Sequence, residues 1–96
     1  MGAQTFMQYG HGKTAAIAFK TAVAQAQYDH GRAGYSGSLA EKHLFVEIAL
    51  PVGRDANEFA NSLIDAGDPR IDDKWGPAGC IKTAPDTYMF FGWASS

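Results

Sequence analysis

The sequence predicts an α+β domain, or a small α/β one, in which a four-stranded mixed sheet carries two helices in the order β-α-β-α-β-β. Three observations carry that prediction. Between residues 14 and 29 apolar side chains recur at every third or fourth position, the period of one helix face. Two runs, 43–50 (HLFVEIAL) and 87–93 (TYMFFGW), are nearly continuous in β-branched and aromatic residues, as strands buried on both faces are. Gly10, Gly31, Pro51, Gly67 and Pro85 fall between these stretches, where the chain must turn.

The first strand is expected over 5–9 (TFMQY), closed by Gly10-His11-Gly12. The first helix follows from Thr14 to Asp29, with Thr14 as its cap and Gly31 as its stop. Its apolar stripe is read as Ala16, Phe19, Val23, Ala26 and His30, widened by Ile17, Ala24 and Tyr28. The run 43–50 is expected to be a central strand ended by Pro51. Asp55-x-x-Glu58 resembles a capping box and opens a second helix, with Ala56, Phe59, Ala60, Leu63 and Ile64 on one face and Gly67 at its end. A short third strand over 80–83 leads through Ala84-Pro85-Asp86, read as a type I turn, into the fourth strand over 87–93.

Right-handed crossovers make the first three strands parallel and the fourth antiparallel. The glycine-rich segment 30–42, the Trp75 loop and the tail after Trp93 then converge on one edge of the sheet. If the strands progress in one direction, both helices cover the same face. The other face would be left apolar, and an exposed patch of that size is an interface. A homodimer or a partner on that face is the expectation; strand order 2-1-3, with one helix on each side, would remove the need for it.

With 96 residues and no repeat or linker, the chain reads as a single domain over 1–96. Hydrophobic residues at 46% and two Trp, four Tyr and six Phe supply a core without a disulfide, which the single Cys80 could not form within the chain. A net charge of −2 gives no general attraction to nucleic acid or to an anionic membrane. No basic n-region or long apolar segment is present, and Phe6 breaks the myristoylation pattern after Gly2, so a cytoplasmic protein is expected.

The segment 30–42 (HGRAGYSGSLAEK) is the most unusual in the chain. Arg32 and Lys42 suit an anionic group, Tyr35 and Trp75 a flat ring, and Ser36 and Ser38 hydrogen-bond partners, which together suit a nucleotide or a single-stranded nucleic-acid segment. The structural alternative is that Ser38-x-x-Glu41 is a capping box leading into the next strand, with Tyr35 in the core. His30 or His43 with Glu41 could form an acid/base couple, but no nucleophile stands at a recognisable spacing, and binding is preferred to catalysis. Gly10-His11-Gly12-Lys13-Thr14 resembles the end of a phosphate-binding loop, although Met7 stands where a glycine is required; a capped strand-to-helix turn explains it. Asp65, Asp68, Asp72 and Asp73 lack calcium-loop spacing, and no metal or cofactor is expected. Glu47, set among apolar residues, must face a rim or a basic partner, and Cys80 reads as a small buried side chain.

Three stretches, 34–42 (GYSGSLAEK), 73–80 (DKWGPAGC) and 90–96 (FFGWASS), cover about a quarter of the chain. Together they resemble small uncharacterised accessory proteins of bacteriophages that infect actinobacteria. That resemblance carries no site residue; it implies a phage product made in the host cytoplasm and acting on a host or defence component. The expectation is a small non-enzymatic interaction module with Arg32, Tyr35, Ser36, Ser38, Glu41, Lys42 and Trp75 on its contact edge. The alternative is a nucleotide-binding or nucleotide-processing protein using the same edge.

Overall fold

The computed structural model describes residues 2–30 and 38–95. Strand β1 (Ala3–His11) leads to helix α1 (Ala15–His30); a 3-10 turn (Leu39–Glu41) precedes β2 (Phe45–Glu47). Helix α2 (Ala56–Ala66) then leads to β3 (Ala78–Ala84) and β4 (Thr87–Ser95). This is the expected α+β architecture, with two helices and a mixed four-stranded sheet.

The strand order is β1-β4-β3-β2. β4 is antiparallel to both neighbours and β2 is parallel to β3, so the first three strands point one way and the last the other. The order has a consequence for the helices. The step from β1 to β2 crosses the whole sheet, whereas the step from β2 to β3 comes back. Two right-handed crossovers running in opposite directions place their helices on opposite faces. Accordingly α1 packs through Ala18, Phe19, Ala22 and Ala26 on Phe6, Cys80, Tyr88 and Phe90. α2 packs through Ala60 and Ile64 on Ile81, Met89 and Phe91. The apolar face on which a dimer was expected is therefore occupied by α2. The premise of an uncovered face does not hold, because the strands do not progress in one direction.

β1 is longer than expected. It pairs with β4 in unbroken register from Ala3 opposite Ser95 to His11 opposite Thr87, so Gly10 lies within the strand. A Cβ at Gly10 would stand 2.5 Å from the Ala18 carbonyl oxygen and 3.0 Å from Ala22 Cβ, which shows how closely α1 rides on β1. Only small side chains permit that approach. The buried face of α1 is consequently Ala15, Ala18, Phe19, Ala22 and Ala26, and the predicted stripe is rotated: Ile17 is 51% exposed and Tyr28 is 87% exposed. Gln8 Nε2 donates to the Ala22 carbonyl at 2.8 Å and pins the pair. Thr14 caps α1 as expected, its Oγ1 accepting from Ile17 N at 3.2 Å.

The run 43–50 forms a short edge strand and not the expected central one. Its apolar side chains are used in packing more than in sheet pairing. Phe45 meets Phe19 and Phe90 at 4.9 and 5.9 Å between ring centroids, and Ile48 joins the α2 side. β3 and β4 occupy the centre, with Ile81, Met89, Phe90 and Phe91 fully buried. α2 starts and stops as expected: Asp55 accepts from Glu58 N at 3.0 Å, and Gly67 takes the left-handed conformation at φ 67°. In the β3–β4 connection Asp86 has φ 59°, so the turn is not the expected type I, whose central residues both have negative φ.

Candidate functional site

The 3-10 turn, the Trp75 loop and the end of β4 meet at one edge of the sheet, as the strand directions required. Two side chains make the junction, Lys42 buried and Glu41 half-buried. Lys42, 3% exposed, donates through Nζ to the carbonyls of Lys74 at 2.9 Å and Gly76 at 2.8 Å. Glu41 Oε1 accepts from Ser95 N at 3.0 Å and from Ser95 Oγ at 2.7 Å. Ser38, also buried, caps the 3-10 turn by accepting from Ala40 N at 3.2 Å.

Burial of Lys42 lowers its pKa from 10.5, and the negative charges of Glu41 and Asp73 oppose the shift. An ammonium placed there is costly unless its protons are bonded. The two carbonyls it bonds belong to the residues on either side of Trp75. Asp73 shapes the same loop from within: its Oδ1 accepts from Trp75 N and its carbonyl from Gly76 N, both at 2.9 Å. Trp75 itself is 66% exposed, with Lys74 Nζ 5.4 Å from its ring centroid. An indole on a braced loop is thus presented outward beside a cation.

Of the seven residues expected on the contact edge, Arg32, Tyr35 and Ser36 lie outside the described residues. Ser38, Glu41 and Lys42 stand on the rim but point their polar atoms into the fold. Trp75 stands outward. Of the groups considered for acid/base work, His30 closes α1, His43 is exposed, and Glu41 Oε1 accepts from Ser95. Sequence reasoning missed Lys74 and the exposed Leu44, whose carbonyl accepts from Ala78 N beside the loop. Asp73 and Gly76, at the first and fourth places of a turn, were the signal that Trp75 would be held at its tip.

The remaining candidates take structural places. Gly12 N donates to the Asp86 carbonyl at 3.0 Å, so the turn resembling a phosphate loop spends an amide on the β3–β4 connection. Glu47 is exposed on the edge strand. Burial, with Glu47 nearby, pushes the Cys80 thiol up to about 12. Among the described residues no group of three or more His, Cys, Asp or Glu could hold a metal ion, and no helix is long and apolar enough to cross a membrane. No protein-family model, curated protein or solved structure matches the chain.

Proposed function

We propose that the chain is a non-enzymatic interaction module that presents Trp75 to a protein partner. In the setting its resemblance implies, it would be a phage accessory protein acting on a host or defence component in the host cytoplasm. The observation that carries the reading is the bracing of an outward indole by a buried Lys42 on the two flanking carbonyls. Tryptophan anchors dominate protein interfaces, and an anchor already held in place loses little entropy on binding. A partner suited to this edge offers an apolar cleft for the indole and a carboxylate for Lys74.

One observation favours nucleotide binding as a second reading. Lys74 Nζ beside the Trp75 ring sets a cation next to a flat stacking surface, the pairing that holds a base and a phosphate.

Capture of partners from an actinobacterial lysate by the immobilised chain, compared with its Trp75→Ala variant, tests the first reading. A protein retained by the parent and lost by the variant, with the melting temperature unchanged, supports it. Equal retention overturns it. A saturable rise in melting temperature with nucleotides, abolished by Trp75→Ala, would move the assignment to the second reading.

A further inference from the structure

We propose that the chain forms a two-fold dimer through the outer edge of β1, joining two sheets into one of eight strands. This surface is distinct from the sheet face covered by α2, and the inference rests on no part of the Trp75 reading.

The two edges of the sheet are unlike. β2 is three residues long and carries the exposed carboxylate of Glu47, which blunts it against further pairing. β1 is nine residues long (AQTFMQYGH) and has no Lys, Arg, Asp, Glu or Pro. Among the described residues, no strand pairs with its outer edge. A long uncharged edge of this kind is a template for another strand.

The register says which groups are offered. Gly12 N donates to Asp86 O at 3.0 Å, and the pairing continues residue by residue to Ala3 opposite Ser95. Antiparallel ladders alternate, so the even-numbered residues of β1 turn their N–H and C=O to β4. Ala3, Thr5, Met7, Tyr9 and His11 turn theirs outward. These five are symmetric about Met7. A second copy laid antiparallel on a two-fold axis through Met7 pairs Thr5 with Tyr9 of the second copy and Ala3 with its His11. Every outward donor and acceptor is then satisfied. Tyr9, otherwise 51% exposed, gains a β-branched cross-strand neighbour.

A strand edge alone falls short of a standard interface of about 1,600 Å². The second layer comes from α1. Phe19 on one flank of this helix leans toward β2 through Phe45. The opposite flank, with the exposed Thr21, Gln25 and Tyr28, is by the strand order the one turned toward β1. Gln8 is bonded to the Ala22 carbonyl, so an axis through Met7 passes α1 between Thr21 and Gln25. The strand register and the helix flank therefore share one axis. The two α1 helices would run antiparallel, with Thr21 of one opposite Gln25 of the other and their dipoles opposed.

The mass of the full chain and amide exchange along β1 test this together. The dimer is expected at twice 10.3 kDa, with Thr5, Met7 and Tyr9 amides as protected as those of Phe6 and Gln8. Thr21→Lys/Gln25→Lys, two exposed substitutions that set like charges across the axis, should return the mass to 10.3 kDa. The Thr5, Met7 and Tyr9 amides should then exchange fast while Phe6 and Gln8 stay protected, which also shows that the fold survives. A parent that is monomeric at every concentration overturns the proposal. So does a dimer in which the Thr5, Met7 and Tyr9 amides exchange fast.

Discussion

Glu41 holds Ser95 by both of its donors, the backbone N–H at 3.0 Å and the hydroxyl at 2.7 Å, and so ties the 3-10 turn to the end of β4. Ser95 is almost fully buried. Glu41→Ala would leave two buried donors without this acceptor, at a cost of about 1–3 kcal/mol. Ser95→Ala removes only the hydroxyl bond and should cost about 1 kcal/mol. Glu41→Gln keeps an acceptor and should fall between the parent and Glu41→Ala in urea unfolding.

Lys42 acts on the neighbouring loop. Lys42→Met keeps the length of the side chain but removes both bonds to the carbonyls flanking Trp75. The Trp75 and Gly76 amides should exchange faster in this variant than in the parent, with the β4 amides unchanged. Because the folded pKa of Lys42 lies below 10.5, the unfolded chain binds more protons between that lowered value and 10.5. The parent should therefore gain stability relative to Lys42→Met as pH rises through that window.

Cys80 gives the opposite sign. Its thiol is pushed up to about 12 from 9.0, so above about pH 9 the unfolded state loses this proton first and folding weakens as pH rises toward 12. At neutral pH the buried thiol should resist an aromatic disulfide reagent until the chain unfolds. Labelling that keeps pace with a free thiol in native buffer would contradict this placement.

Gly10→Ala should be among the most destabilising single-methyl additions. The new Cβ meets a backbone oxygen of α1 at 2.5 Å and Phe90 at 3.1 Å, and helix and strand must part to admit it. Overpacking of this kind costs roughly 1–3 kcal/mol or more. A lowered urea midpoint with an unchanged slope is the expected signature.

The elements were readable where a local signal decides them. Thr14, Asp55 and Gly67 cap their helices by bonds within a few residues, and the sequence displays the residue types such bonds require. The face of α1 was not readable. Ile17 and Tyr28 are more hydrophobic than Ala18 and Ala22, yet lose the core to them because Gly10, in another element, sets the distance. The place of β2 was misjudged for a similar reason, since its apolar run serves two helices as well as the sheet. On the rim, the chemistry of Ser38, Glu41 and Lys42 was legible as polar but not as inward. Direction depends on Ser95 and on two carbonyls more than thirty residues away.

The pairing of β1 with β4 also orders events in time. During synthesis β1 leaves the ribosome well before β4, the strand with which it pairs among the described residues. α1 can form early from local contacts, and β3 and β4 can form a hairpin; β1 has to wait. Its uncharged backbone edge is then open on both sides in the nascent chain, where crowding by other ribosome-bound copies or by chaperones decides what it meets first.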